Sequence, residues 1–233
     1  MQLFYAPDIM QSFILPEEES AHAIRVLRMK EEDKITLTDG KGFFYLSEIV
    51  SAHPKRVEVR ILKQWTQERL RPFYLHLALS PTKHMVRMEW LIEKATEIGI
   101  DAVTFLQCRF SERRIIKTTA RLEKIMISAM KQSQKASLPL LTGMTNFNDL
   151  IKQPFDGRKF MAHCETKDRL LLKQIYRPGE KVLILIGPEG DFSAEEIRLS
   201  LRHGFEPVSL GKSRLRTETA ALAACHTIHV LNQ

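Results

Sequence analysis

The sequence predicts two domains: a small β-rich domain, residues 1–70, followed by an α/β domain, residues 73–233. In the first part, short runs with alternating or continuous apolar residues are separated by turn signals, which is typical of β-strands. In the second part, strand-like and helix-like segments alternate, and this order indicates a parallel sheet covered by helices. With 233 residues, 44% of them hydrophobic, the chain is long enough to bury a sizeable core.

The first domain is predicted to be a small closed or half-closed barrel of short antiparallel strands. Its strand candidates are LFYA, KITLTDG, FFYLSEIV and VEVRILKQW. Turn residues at 39–42 and at 53–54 join the last three strands as a meander. One helix is predicted over residues 16–30, because a proline and three glutamates begin it and basic residues end it, as the helix dipole favours.

The second domain begins with the apolar run FYLHLALS and continues with strands and helices in turn. The further strand candidates are AVTFLQC, KFMAHC, KVLILIG and PVSLG. The helix candidates are HMVRMEWLIEKATEIG, TARLEKIMISAMKQSQK, AEEIRLSLRHG and a final alanine-rich segment. Strands without polar alternation are expected to be buried on both faces of the sheet.

The net charge of +7 belongs to the second part of the chain, since acidic and basic residues balance up to residue 72. Within residues 109–135 basic side chains greatly outnumber acidic ones. Such a stripe can neutralise phosphates and attract a polyanion. Charge alone, however, favours a solvated helix face slightly over nucleic-acid binding.

Several classes of protein and site are disfavoured. No apolar run is long enough to span a bilayer and the N-terminus lacks signal-peptide features, so a cytoplasmic protein without membrane contact is expected. Three cysteines without a CxxC pair indicate buried thiols. The His226/His229 pair lacks a third metal ligand, and HCE at 163–165 is interpreted as the end of a buried strand near a ligand pocket.

The stretch LILIGPEGDFSAEE, residues 183–196, has the form of a strand, a tight turn and a helix start, where ligands often meet backbone N–H groups. Ser193 and Glu196 have the spacing of a capping box, which predicts that the helix begins at Ser193. Neither a Walker A loop nor a Rossmann fingerprint is present. Because Asp191 would repel a phosphate, a ligand with a cationic or neutral edge is favoured.

A second stretch, VSLGKSRLRTETAALAAC, places a polar loop between a short strand and the last helix. Thr217 or Thr219 is expected to cap that helix. Two arginines and a glutamate lie beside the strand end, which is where open α/β sheets bind their ligands.

Together these stretches resemble a known family. IGPEGDFSAEE and LGKSRLRTETA, with HAIRVLRMK, KATEIGI and KQSQKASLP, are similar to motifs of the RsmE family, the 16S ribosomal RNA uridine-N3 methyltransferases of the SPOUT superfamily. The resemblance covers nearly the whole chain. It implies a PUA-like barrel that helps to hold RNA, an α/β domain with a deep trefoil knot, a homodimer, and S-adenosylmethionine without a metal.

The resemblance assigns two cofactor loops by position. These comprise Leu185, Ile186, Gly187, Pro188, Glu189 and Gly190 in the first loop, and Leu210, Gly211, Leu215 and Arg216 in the second. This chain has Asp191 where the family usually has glycine, Ser213 and Arg214 where it has Arg and Ile, and Lys131 and Lys135 where it has Glu and Arg.

Methylation of a uridine N3 needs alignment of the acceptor and stabilisation of negative charge on O2 and O4. Arg216 is the candidate for that stabilisation, with Lys212 and Arg214 as alternatives. Glu218 is either the proton acceptor or, preferably, an anchor that orients Arg216. Because N3 lies on the pairing edge, the target must be unpaired or flipped out.

In this context RNA contact becomes the favoured role of the basic stripe. The residues expected to bind 16S rRNA or the small subunit are Arg28, Arg109, Arg113, Arg114, Lys131 and Lys135, with Lys117, His22 and Arg25 as further candidates. Lys83 and His84 are expected to line the cleft.

Two other functions remain open. A non-catalytic RNA-binding or ribosome-assembly protein that keeps the fold is the first, supported only by the departures at Asp191 and Ser213. An enzyme that binds another adenine-bearing ligand in the same pocket is the second.

Overall fold

The computed structural model describes residues 2–67, 73–116, 119–165 and 169–233. The chain forms two compact units, one of Met1–Leu70 with Ile127–Leu138 and one of Arg71–Met126 with Pro139–Gln233. The predicted domain boundary at residues 70–73 falls largely outside the described residues and remains a prediction. None of the helices in the described ranges is long and apolar enough to cross a membrane.

The first unit contains a four-stranded sheet in the order β1-β2-β3-β4. The strands are β1 (Leu3–Tyr5), β2 (Lys34–Thr38), β3 (Phe43–His53) and β4 (Arg56–Thr66). The predicted meander of β2, β3 and β4 is confirmed, because both pairs are antiparallel. The expectation that all the strands are antiparallel is wrong for β1, which pairs in parallel with β2. Apolar side chains from the sheet and the helical segment form its core, among them Phe4, Leu37, Ile49 and Val57.

The helix predicted over residues 16–30 is shorter in the structure. It consists of α2 (Glu17–Ala21) and a π-helical turn over His22–Val26. Arg28 has a φ of 56°, which is a left-handed conformation and cannot continue the helix. The Met29 N–H instead donates to the Ala23 carbonyl. A further short helix, α1 (Ile9–Ser12), was not predicted.

The segment Ile127–Leu138 belongs to the first unit, which the sequence does not indicate. The Thr38 hydroxyl donates to the Ala136 carbonyl at 3.0 Å and accepts the Gly40 N–H at 3.1 Å. The Leu138 N–H donates to the Gly40 carbonyl at 2.8 Å. The turn between β2 and β3 is therefore hydrogen-bonded to a segment about a hundred residues further along the chain.

The second unit contains a seven-stranded sheet in the order β7-β6-β5-β10-β8-β11-β9. The strands are β5 (Tyr74–Leu79), β6 (Ala102–Gln107), β7 (Leu140–Asn146), β8 (Arg158–Ala162), β9 (Leu170–Leu171), β10 (Lys181–Ile186) and β11 (Phe205–Ser209). Every pair is parallel, as predicted. Five successive residues of β10, Val182–Ile186, are buried. Since neighbouring strand residues point to opposite faces, both faces of the sheet are covered there.

Further helices lie in the described residues after β4. They are α3 (Met85–Ile98), α4 (Thr119–Gln132), α5 (Phe147–Lys152), α6 (Leu172–Ile175), α7 (Ala194–Arg202) and α8 (Thr217–Leu231). The sequence pattern predicts α3, α4, α7 and α8, but it predicts neither the short helices α5 and α6 nor the strands β7 and β9. Helix α8 packs against α3.

Replacing the Thr38 hydroxyl should destabilise the first unit. Thr38→Val removes an acceptor from the Gly40 N–H and a donor from the Ala136 carbonyl, so we expect the free energy of unfolding to fall by about 2 kcal/mol. The matched control is Thr36→Val, because Thr36 is also a buried residue of β2 but makes no side-chain hydrogen bond to another described residue. The control should change stability by less than about 0.5 kcal/mol in urea denaturation. Equal losses in the two variants would contradict the role given to Thr38.

Candidate functional site

The principal crevice of the second unit opens at the carboxyl ends of β8, β10 and β11, which are neighbours in the sheet. This is the edge at which parallel α/β sheets bind ligands. The crevice has a volume of about 810 Å³ and is enclosed by the segments that follow these three strands. Of the residues predicted for the cofactor loops, those that line it are Ile186, Gly187, Pro188, Glu189, Leu210, Gly211, Leu215 and Arg216.

Two predicted cofactor residues do not line the crevice. Leu185 is fully buried within β10. Gly190 is turned towards Phe110, and a Cβ at Gly190 would lie 3.3 Å from the Phe110 Cβ. Further residues line the crevice that the sequence did not single out, among them Ala162, Arg169, Val208 and Ala220. The alanines and Val208 lack a polar group that would have drawn attention to them.

The first loop, Gly187–Phe192, owes its shape to Asp191. This residue has a φ of 65°, the left-handed region that glycine adopts without strain. Its carboxylate accepts the Cys164 N–H at 2.6 Å and the Phe192 N–H at 2.8 Å. The loop is thereby fixed to the segment that follows β8. The predicted capping box is confirmed at the end of this loop, where Ser193 and Glu196 exchange hydrogen bonds.

The second loop, residues 210–216, is joined to the first by Thr217. Its hydroxyl is buried and donates to the Gly187 carbonyl at 3.0 Å. The predicted capping role is wrong for both threonines, because Arg216 occupies the N-cap position of α8 without a side-chain cap. Thr217 is instead the first helical residue, and its hydroxyl links the two loops across the crevice.

Arg216 borders both the crevice and a smaller cavity of about 390 Å³, here called the side pocket. The side pocket is lined by Lys83, His84, Arg87, Glu112, Glu189, Arg216 and Glu218. The Arg216 side chain is exposed and makes no hydrogen bond or ion pair with another described residue. Glu189 also borders both cavities, so they share an edge formed by a cation and an anion.

Glu218 is not the anchor of Arg216 that the sequence analysis prefers. Its Oε1 atom lies 3.7 Å from Nε of Arg87, and its Oε2 atom is buried without a hydrogen-bond partner among the described residues. The physical reason is its position in the first turn of α8, which packs against α3 and so directs Glu218 towards Arg87. A carboxylate that is only 7% exposed and half unpaired is costly unless a ligand completes its contacts.

His163 lies at the crevice directly after β8. Its Nδ1 accepts the Glu165 N–H at 3.3 Å, while Nε2 is buried without a partner among the described residues. Burial lowers the pKa of His163, and nearby Arg169 lowers it further, so the ring is neutral near pH 7. Cys164 is exposed, so the expectation of buried thiols is wrong for this cysteine. His163 and Cys164 both line the crevice, which agrees with the interpretation of HCE as a strand end near a ligand pocket.

The predicted RNA-binding residues are divided between the two units. In the second unit, Arg109 and Arg114 are exposed, whereas Arg113 donates to the carbonyls of Thr82 and Lys83. Arg113 therefore supports the segment after β5. In the described part of this unit no three His, Cys, Asp or Glu side chains are grouped so that they could hold a metal ion.

In the first unit, Lys131 is largely buried, pairs with Glu19 at 2.5 Å and lies over the Phe4 ring. Lys135 is half-buried, while Arg28 is exposed. The Lys131 contacts are structural. Lys117 lies outside the described residues.

Comparison with known proteins finds matches over both units. The RNA methyltransferase domain family matches residues 69–229, and the RNA methyltransferase PUA domain family matches residues 15–62. The ribosomal RNA small subunit methyltransferase E of Buchnera aphidicola is 28% identical over 230 residues, which cover 96% of this chain and 90% of that protein.

Solved structures are similar over the full length. A "probable rRNA-methyltransferase" from Porphyromonas gingivalis has a TM-score of 0.95 and 46% identity, covering 100% of this chain and 98% of that one. The ribosomal RNA small subunit methyltransferase E from Neisseria gonorrhoeae was solved with S-adenosylmethionine bound. It has a TM-score of 0.86 and 29% identity, and the match covers 99% of this chain and 98% of that one.

Substitution of Asp191 should separate the contribution of its carboxylate to stability from the cost of its left-handed backbone. Asp191→Ala and Asp191→Gly both lose the carboxylate that accepts the Cys164 and Phe192 N–H groups. Only alanine also has to adopt the left-handed backbone with a Cβ, so we expect Asp191→Ala to be less stable than Asp191→Gly by about 1 kcal/mol. Urea denaturation measures this difference. If the alanine variant is as stable as the glycine variant, the positive φ is not the constraint.

Proposed function

Since this chain belongs to the RNA methyltransferase family that includes the ribosomal RNA small subunit methyltransferases E, we propose that it methylates N3 of a uridine in 16S ribosomal RNA. The observation that carries this proposal is the crevice between the two loops after β10 and β11. The loops contain the two sequence stretches that resemble the RsmE motifs. We also propose S-adenosylmethionine as the methyl donor.

The residues of the crevice fit an adenosine-bearing sulfonium. Ile186, Leu210 and Leu215 provide apolar contact, and the buried backbone of Gly187 and Pro188 provides polar groups close to it. A volume of about 810 Å³ is in the range of cavities that enclose such a ligand. Glu189 at the edge favours a positive charge. When bound there, S-adenosylmethionine supplies a methyl group on a positively charged sulfur.

The side pocket is the proposed site of the uracil ring, because it shares Glu189 and Arg216 with the crevice. Arg216 stabilises the negative charge that develops on the uracil oxygens as N3 is methylated. The Oε2 atom of Glu218, which has no partner among the described residues, accepts the N3 proton. Because Glu218 contacts Arg87 and not Arg216, the role of an Arg216 anchor is not supported, and we assign it that of the proton acceptor.

The acceptor base has to leave any stack or pair before N3 can enter the side pocket. A loop or unpaired strand of ribosomal RNA meets that requirement, whereas a regular duplex does not. Lys83 and His84 are exposed at the side pocket and are placed to contact the phosphates beside the target. Exposed Arg28, Arg109 and Arg114 are proposed as further RNA contacts.

The same resemblance implies a knotted α/β domain, a barrel in the first unit, a homodimer and a cytoplasmic location. An exposed apolar row on α3 supports the dimer. Val86 is 73% exposed and Trp90 is 43% exposed, and residues four apart lie on one side of a helix. Such side chains are suited to cover the α3 face of a second copy.

The alternative of a non-catalytic RNA-binding protein loses one of its two supports. Asp191 adopts a left-handed backbone, which glycine also adopts without strain, so this departure does not argue against an intact cofactor loop. Ser213 is exposed at the crevice, and nothing in the structure explains its difference from the family.

The proposed activity can be tested in two measurements. We expect S-adenosylmethionine to bind the purified protein in calorimetry. We expect small-subunit ribosomal RNA from a strain without the gene to lack one uridine methyl group by mass spectrometry, and the purified enzyme to restore it. An absence of heat would contradict the cofactor, and an unchanged RNA mass would contradict the substrate.

The roles of Arg216 and Glu218 predict effects on turnover. Arg216→Ala should lower kcat by about 10²-fold to 10³-fold, since it removes charge stabilisation. Glu218→Gln should lower kcat by about 10²-fold or more, since the amide cannot accept the proton. The Kd for S-adenosylmethionine should change by less than about threefold in either variant.

Arg214→Ala is the matched control, because Arg214 is an exposed arginine of the same loop that lines the crevice but does not border the side pocket. It should retain kcat at saturating S-adenosylmethionine. A fall in kcat for Arg214→Ala as large as that for Arg216→Ala would contradict the special role of Arg216. Equal losses in turnover and in cofactor affinity for Arg216→Ala would make it a cofactor-binding residue instead.

A further inference from the structure

The second unit contains a third cavity that the proposed reaction does not use. It has a volume of about 560 Å³ and lies at the ends of β6 and β7, beside α7. We call it the arginine groove, and the polar residues important here are Gln107, Arg109, Arg114, Asn146, Asn148 and Arg202. Phe110 follows directly after Arg109 in the chain.

We propose that the arginine groove and Phe110 bind the RNA nucleotide next to the methylated uridine, with its base stacked on the phenyl ring. This inference rests on the proposed function, because it assumes that the substrate is RNA. The inference adds a binding site for an unpaired nucleotide that flanks the methylated uridine. Neither of the two cofactor loops is needed to bind that nucleotide.

Phe110 belongs to a short segment that borders both the groove and the side pocket. Arg109, the preceding residue, lines the groove, and Glu112, two residues later, lines the side pocket. The Phe110 side chain also lies against Gly190 of the first loop, where an added Cβ would be 3.3 Å from the Phe110 Cβ. A base on this ring would therefore be next to a base in the side pocket.

The phenyl ring is both accessible and held in place. Phe110 is 49% exposed, so its ring can be reached by a base from solvent. The turn that carries it is fixed by Ser111, whose buried hydroxyl accepts the Cys108 N–H at 2.8 Å and lies 2.7 Å from the Ser80 hydroxyl. A fixed, exposed aromatic ring is the element that single-stranded nucleic acids stack on.

The charges of the groove favour a nucleotide because its carboxylates are already engaged. Glu196 accepts the backbone N–H of Arg109 through one oxygen and the Ser193 N–H and hydroxyl through the other. Glu195 lies 3.5 Å from the Arg109 guanidinium. Arg114 and Arg202 are exposed and form no ion pair with another described residue, so they are available for a phosphate.

Carboxamides supply the groups that a base edge requires. Asn146 uses its Oδ1 atom to accept the Asn148 N–H at 2.9 Å, which leaves its amino group as a donor. The side chains of Gln107 and Asn148 make no hydrogen bond with another described residue and offer both donors and acceptors. Amides beside two arginines and an aromatic ring match a nucleotide better than a simple anion.

The test compares Phe110→Leu with Phe110→Tyr. Leucine keeps an apolar side chain but cannot stack, whereas tyrosine keeps the ring. With small subunits from a strain without the gene as substrate, Phe110→Leu should raise KM about tenfold or more with kcat within about twofold of wild type. Phe110→Tyr should match the wild type, and the calorimetric Kd for S-adenosylmethionine should be the same in all three proteins.

Arg202→Gln tests the phosphate contact, with Arg198→Gln as its control on the same helix, since Arg198 is exposed but does not line the groove. In binding measurements with the same small subunits and no methyl donor, Arg202→Gln should weaken binding and reduce the slope of log K against log salt by about one. Arg198→Gln should leave both quantities unchanged.

The stacking role is overturned if Phe110→Leu has the wild-type KM, if Phe110→Tyr is as defective as Phe110→Leu, or if the Kd for S-adenosylmethionine changes together with KM. The phosphate contact is overturned if Arg198→Gln has the same effect on binding as Arg202→Gln. The binding measurement needs no turnover. If the wild type binds small subunits but transfers no methyl group, the proposed function fails, while the comparison of variants in binding still decides the role of the groove.

Discussion

The hydrogen bond from the Thr217 hydroxyl to the Gly187 carbonyl is the contact on which the arrangement of the site depends. It is buried and joins the first turn of the last helix to the loop after the central strand β10. Arg216 precedes this residue and Glu218 follows it, so a single anchored position places one side chain at the shared edge of two cavities and the other inside the smaller one. The contact between the helix and the loop thus determines where the Arg216 and Glu218 side chains lie.

Features that depend on neighbouring residues could be predicted from the sequence. The capping box of Ser193 and Glu196 is one, since both partners lie within one turn of helix. The meander and the continuous apolar strand β10 are others, because periodicity and burial are encoded locally. The sequence of β7 does not predict a strand. It contains Gly143 and ends in polar residues, and its residues are only partly buried, so it has neither an alternating nor a continuous apolar pattern.

Features that depend on distant partners could not be predicted. Glu218 and Arg216 are close in sequence, and this closeness suggested a pair, yet the packing of α8 on α3 gives Glu218 a partner 131 residues earlier. The basic stripe is similar. Arg113 and Lys131 contribute to the same charge pattern as Arg114. Arg113, however, donates to two backbone carbonyls, and Lys131 pairs with a half-buried carboxylate. Charge composition reports how many cations there are, and only tertiary contacts decide which of them remain available.

Asp191 shows how one residue can replace another of very different chemistry. A glycine would give the first loop its left-handed turn through freedom of the backbone, and that freedom would have to be lost when a ligand binds. The aspartate adopts the same turn and holds it through two backbone N–H groups. Part of the entropy of ordering the loop is therefore lost during folding rather than at each binding event, so the rim of the crevice is preorganised for its ligand.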